Sequence, residues 1–172
     1  MRFFADEMLG KLARWLRALG VDVAYLTSAP DEKIIQLAQR EDLIVLTRDQ
    51  KLNKRLSVLK IPVLFIRDDK WEDQIRQFFS EYPALKTMDG VLTRCMECNE
   101  ALEELKKDQV KDKVWPFVFE TQERFSFCRR CDKIYWNATH VTKILERLTA
   151  VVKGKPRPLK TKNLNKKKRT AS

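Results

Sequence analysis

The chain has 172 residues, 44% of them hydrophobic, and a net charge of +11. That is enough apolar material for one core and a small satellite, and no apolar run approaches the roughly 20 residues that a membrane-spanning helix needs. Nine lysines and arginines lie between Lys153 and Ser172 without an acid among them, so +2 of the +11 remains for everything before Lys153 and the basicity belongs to a tail.

Met1-Arg2-Phe3-Phe4-Ala5 reads as a strand that runs into Asp6 and Glu7, acids that do not suit a signal peptide. Met8 to Gly20 follows helical spacing through Leu9, Leu12, Leu16 and Leu19, with Gly20 as its stop. Lys11, Arg14 and Arg17 recur on another face, either as a solvated surface or as a ridge that contacts phosphates. Val21 to Leu26 is a short strand. Ser28-Ala29-Pro30-Asp31 leads into a helix from Glu32 to Arg40, with Asp31 as its N-cap and also placed to face a sheet edge. Leu43-Ile44-Val45-Leu46 is apolar without alternation, the mark of a strand buried on both faces, and turns polar at Thr47-Arg48-Asp49. Asp49 precedes a helix from Gln50 to Leu59 that carries Lys51, Lys54 and Arg55. Pro62 to Ile66 is a fourth strand ending in Arg67-Asp68-Asp69. Lys70 to Ser80 is a further helix, buried through Trp71, Ile75, Phe78 and Phe79.

Strands separated by helices of about three turns imply βαβ crossovers, hence an α/β fold with an open, mainly parallel sheet and helices on both faces. Such sheets bind ligands at the carboxyl ends of their strands. Asp6, Asp49, and Asp68 or Asp69 follow three of the four strands there, and Asp31 lies on the connection after the remaining one. A divalent metal is the expected occupant, with Asp6 and Asp49 as direct ligands.

After Met88 the character changes. Cys95, Cys98, Cys128 and Cys131 form two Cys-x-x-Cys pairs separated by 29 residues. In a reducing compartment this spacing points to a tetrathiolate zinc site, with iron as the competing occupant. Four thiolates leave zinc no open position, so the site is structural, the staple that a module of about 60 residues needs. The interval has room for a short helix around Leu102 and Leu105 and for antiparallel strands over Val114 to Phe127, broken by Pro116. Lys133 to Trp136 is a strand and His140 to Val152 a closing helix. His140, the one histidine, reads as a cap or hydrogen-bonding group ahead of a ligand or base. Lys153 to Ser172 is expected to be disordered, a phosphate-binding tail ahead of a nuclear address at Lys166 to Arg169.

Taken together, these residues resemble the Mut-seven C-terminal RNase domain family, a PIN-like nuclease branch with an appended zinc ribbon. Asp6 through Arg17 matches the family's opening, Thr47-Arg48-Asp49 its central motif, and Cys95 to Asn99, Cys128 to Cys131, Tyr135-Trp136 and His140 its ribbon. The resemblance covers Met1 to about Val152. It implies a PIN-like fold and Mg²⁺- or Mn²⁺-dependent ribonuclease activity with Asp6 and Asp49 as metal ligands. Asp31 matches less tightly, and Asp68 or Asp69 stands where a fourth acid often lies. Ala138 replaces a usual glycine, which concerns the ribbon's turn alone.

The expected organisation is a nuclease unit over 1–88, a zinc ribbon over 89–152 and a basic tail over 153–172. The expected reaction is hydrolysis of RNA phosphodiesters, with Asp31 as a second-site ligand or water-positioning group and Asp68 or Asp69 completing the metal shell. Arg14, Arg48 and Lys51 are expected to contact the substrate, Arg48 being equally placed to brace the acids. Ribosomal or other structured RNA, no membrane and a cytoplasmic location complete the expectation. Two rivals stand beside it: a non-catalytic RNA or ribosome adaptor on the same scaffold, and a DNA-binding regulator, which leaves the acids unexplained.

Overall fold

The computed structural model describes residues 1–86, 90–136 and 139–154, without the side chains of 139–145. Strands β1 (Phe3–Ala5), β2 (Val23–Tyr25), β3 (Ile44–Thr47) and β4 (Val63–Phe65) form one parallel sheet in the order β2-β1-β3-β4. The two central strands are buried on both faces, as their unalternated apolar runs require. Phe3, Ala5 and Leu46 face one core, and Phe4 and Val45 the other.

Helices α1 (Gly10–Ala18) and α4 (Trp71–Glu81) cover the first face, and α2 (Asp31–Glu41) and α3 (Gln50–Val58) the second. The Phe3 ring meets Phe78 of α4 edge to face at 5.0 Å. Gly20, the expected stop of α1, has φ +86, and a Cβ there would drive into the backbone of Gly90. The glycine thus serves a left-handed turn and a close backbone approach at once.

Helix α2 corrects one expectation. Pro30, in extended conformation, occupies the cap position, and its carbonyl accepts from the amides of Lys33 and Ile34 at 3.0 and 3.1 Å. Asp31 is therefore the first helical residue, and its side chain makes no cap bond.

The second sheet is antiparallel, β5 (Glu103–Leu105), β6 (Phe125–Cys128) and β7 (Lys133–Trp136), in that order. Leu105, expected in a helical piece, lies in β5 because it pairs with Phe125 across the ladder. Pro116, expected to break a strand, instead opens helix α5 (Pro116–Thr121) at its first position, where the missing N–H costs nothing.

Helix α6 (Thr139–Lys153), grouped with the ribbon on sequence, packs against α4. Its Leu148, Val151 and Val152 join the same core as Phe3 and Phe78. The boundary at 88/89, Ala138, the side chain of His140 and the tail beyond 154 lie outside the described residues. Among the described residues, no helix is long and apolar enough to cross a membrane.

Candidate active site and metal centre

The chain after β1 moves to β2 on one side, and the chain after β3 moves to β4 on the other. The crevice between the carboxyl ends of β1 and β3 is thus the topological switch point, where open α/β sheets bind ligands. Asp6 and Asp49 flank it.

Asp6 is 4% exposed. Its Oδ1 accepts from the Met8 amide at 3.0 Å. Its Oδ2 accepts from the Arg48 amide at 3.0 Å and from the Thr47 hydroxyl. Thr47, fully buried, accepts in turn from the Asp49 amide at 2.9 Å. One hydroxyl therefore ties the two acidic turns together. Asp49 caps α3, its Oδ1 accepting from the amides of Lys51 and Leu52 at 2.6 and 3.1 Å. Its Oδ2 takes no bond among the described residues.

Two of the other acids are engaged by arginines. Asp31 pairs with Arg55 at 3.0 Å, and Arg55 reaches Glu32 at 2.9 Å. The Glu32 carboxyl sits low, first through its own backbone amide and then through Arg55. Asp69 pairs with the Arg48 guanidinium. The loop that carries Asp68 and Asp69 is shaped from α4. Gln74, itself buried, donates to the Asp68 carbonyl at 2.9 Å. Gln77 donates to Phe65 O at 2.7 Å and accepts from the Arg67 amide at 3.0 Å. The ridge expected on α1 also divides. Lys11 is exposed, Arg14 is paired with Glu97 at 3.0 Å, and Arg17 is 4% exposed. Lys51 is exposed beside Asp49.

Among the described residues, the four cysteines are the one group of three or more histidine, cysteine or acidic ligand atoms gathered within 4.8 Å of one another. Cys95 and Cys131 sulfurs lie 3.9 Å apart, and those of Cys98 and Cys128 3.4 Å. A regular tetrahedron with Zn–S of about 2.3 Å has edges of about 3.8 Å, so the cluster fits one ion with modest adjustment. Burial pushes the Cys95 thiol up. It is outweighed by hydrogen bonds from Tyr135 and from the amides of Cys98 and Glu97, which bring it to about 6. Cys131 is pushed up to about 12, foremost by the hydrogen bond with Cys98.

The family model described as the Mut7-C RNAse domain matches residues 1–148. The chain belongs to the Mut7-C RNase domain family. A human protein described as "Exonuclease mut-7 homolog" is 30% identical to it over 118 residues, 66% of this chain and 14% of the human protein. The Mut7-C chain thus spans only a small part of that relative. No solved structure matches it.

Some positions that shape the candidate site of this Mut7-C chain escape sequence reading. Thr47 looks like the last residue of a buried strand, and its hydroxyl acquires a role only when β1 lies beside β3. Gln74 and Gln77 do carry a signal, because they flank Ile75 and Phe78 on the otherwise apolar side of α4. The bonds that Arg17 makes to the ribbon have none.

Proposed function

We propose that this chain is a metal-dependent ribonuclease whose reaction centre is the switch point between β1 and β3. The observation that carries the reading is the Asp6–Thr47–Asp49 arrangement, a buried carboxylate pinned by three donors beside a second carboxylate with a free oxygen. Family membership and the human relative's description as an exonuclease support nuclease chemistry on RNA. The donors are hard oxygens, the set that suits Mg²⁺ or Mn²⁺. Asp6 and Asp49 would hold the ion. Bound there, it would activate an attacking water and offset charge on the leaving oxygen.

The chain's own residues do the rest. The Met8 and Arg48 amides and the Thr47 hydroxyl hold the Asp6 carboxylate in one position, which avoids reorganisation during the reaction. Lys51 and the Arg48 guanidinium stand at the same edge for phosphate oxygens, and Arg48 must leave Asp69 to reach them. The tetrathiolate site has no open position and contributes fold alone.

The adaptor reading draws on a different observation: Asp6, Asp31 and Asp69 are all engaged by donors of the protein itself. One experiment separates the two. The purified chain is incubated with structured and single-stranded RNA in Mn²⁺ or EDTA, beside Asp6→Asn and Asp49→Asn. The nuclease reading expects cleavage in Mn²⁺ alone, lost in both variants, with RNA binding unchanged or stronger because a negative charge is gone. RNA binding in EDTA with no cleavage in Mn²⁺ establishes the adaptor. Cleavage that survives both substitutions overturns the assigned site.

A further inference from the structure

Arg17 projects from α1 into the junction between the sheet and the first cysteine knuckle. Its Nε donates to Val23 O, on the edge strand, at 2.8 Å. One terminal nitrogen donates to Met96 O at 3.2 Å and Glu97 O at 2.7 Å. Met96 and Glu97 are the two residues between the ligand candidates Cys95 and Cys98. The buried guanidinium thus grips the backbone of the first Cys-x-x-Cys knuckle itself.

Other contacts close the same seam. Asn99, directly after Cys98 and in left-handed conformation, accepts from Val23 N–H at 3.1 Å and donates to Asp22 at 2.7 Å. Arg94 pairs with Asp22 at 3.1 Å, and Leu92 N–H donates to Ala18 O at 2.9 Å. Both outward polar groups of Val23 are therefore taken up by Arg17 and by the residue after the knuckle. At Val23 the open edge of β2 is closed from α1 and from the cysteine module together.

We infer that Arg17 is the outer-sphere positioning residue of the four-cysteine metal site, and that through it metal occupancy sets the order of α1 and β2. A tetrathiolate-bound divalent ion carries net negative charge, and a buried guanidinium on the ligand-bearing peptides offsets it while fixing their orientation. The reverse direction follows from linkage: what Arg17 contributes to metal affinity, the metal contributes to the order of the elements Arg17 joins. Helix α1 follows directly on the turn in which Leu9 N–H donates to Asp6 O at 3.0 Å, so loss of order there reaches the proposed reaction centre. That last step rests on the nuclease reading; metal release and backbone exchange do not.

The test uses the full chain loaded with Zn²⁺ or Co²⁺, as wild type, Arg17→Met, Arg17→Lys and Arg14→Ala. Arg17→Met is expected to speed metal transfer to a chelator by about 10- to 100-fold, the usual range for a lost outer-sphere partner. Arg17→Lys should recover part of the loss, and Arg14→Ala, which reaches only the exposed Glu97 carboxylate, should change it less than about 2-fold. In the Co²⁺ form, the thiolate charge-transfer band should shift to lower energy in Arg17→Met and return toward wild type in Arg17→Lys. A purely structural role would not move that band. If Arg17→Met fails to fold, the wild-type chain still decides. Metal removal must raise amide hydrogen exchange across residues 12–25 together with 90–105. Wild-type release kinetics in a folded Arg17→Met, or unchanged exchange at 12–25 on metal removal, overturns the inference whether or not the chain cleaves RNA.

Discussion

Thr47 shows how much a single hydroxyl can decide. It has one proton, which goes to Asp6, and its lone pair receives the Asp49 amide, so both turns depend on the direction of one O–H. Thr47→Val keeps the shape and removes both bonds in a fully buried place. It should cost about 1–3 kcal/mol in urea unfolding, the cost of stranding buried polar groups, and Thr47→Ser should restore most of it. If the nuclease reading holds, Thr47→Val also lowers the cleavage rate, because Asp6 loses one of its three anchors. Stability equal to wild type would show that the bridge contributes nothing. At the same scale, Arg17 differs from its neighbours on the α1 ridge because it alone is buried on backbone carbonyls, while Arg14 pairs with Glu97 and Lys11 lies over the Trp71 ring. Burial lowers its pKa, and the thiolates of Cys98 and Cys95 oppose that shift.

Helix α1 is stopped by a close backbone approach, and α4 ends in a ring contact with β1. Gly20→Ala places a methyl against Gly90 in a left-handed turn and should cost at least about 1 kcal/mol, some 2–4 °C in Tm for a chain of this size. Gly90→Ala is the control, since its Cβ would rest 3.4 Å from Gly20 Cα, ordinary contact. Equal melting of the two variants would refute the close-approach argument. Tyr82, at the end of α4, packs edge to face on Phe3 at 5.0 Å, and burial foremost, then Glu81, raises its phenol pKa. An acid whose folded pKa is raised holds its proton more tightly when folded. Its contribution is therefore complete below the unfolded value of about 10 and is lost as pH rises through that value and the higher folded one. Urea midpoints should fall between about pH 9 and 11 in the wild type and fall less in Tyr82→Phe. Parallel curves would exclude Tyr82 as the source.

Across the whole molecule, the sheet unit and the ribbon share material in two places, the Arg17 seam and helix α6. Leu148→Ala should destabilise the sheet unit by about 2–5 kcal/mol, because Leu148 is fully buried in the core that contains Phe3 and Phe78. Amide exchange in β1 and β3 is the readout, and an effect confined to the ribbon would return α6 to that unit. The basic tail contributes at longer range. If roughly half of the eight cations in residues 155–172 engage single-stranded RNA, deleting that segment flattens the slope of log affinity against log salt by about 3 units. An unchanged slope would remove the tail from the interface. The unalternated runs at Phe3–Ala5 and Leu43–Leu46 determined a sheet buried on both faces, and the crossover lengths made it parallel. The acids that end those runs marked the carboxyl edge, and two Cys-x-x-Cys pairs marked a four-cysteine cluster able to hold one ion. All of these are properties of local spacing, and local spacing is what a sequence carries. Strand order, by contrast, sets β1 beside β3, and only that adjacency makes Thr47 a bridge, while Asp31 finds its partner in Arg55 of α3. The bonds from Arg17 to residues 96 and 97 and the seat of α6 on α4 likewise join segments about 60 to 80 positions apart. Periodicity is blind to such pairings because no residue type announces its distant partner; the fold chose them by closing the edge of β2 and burying the apolar face of α6.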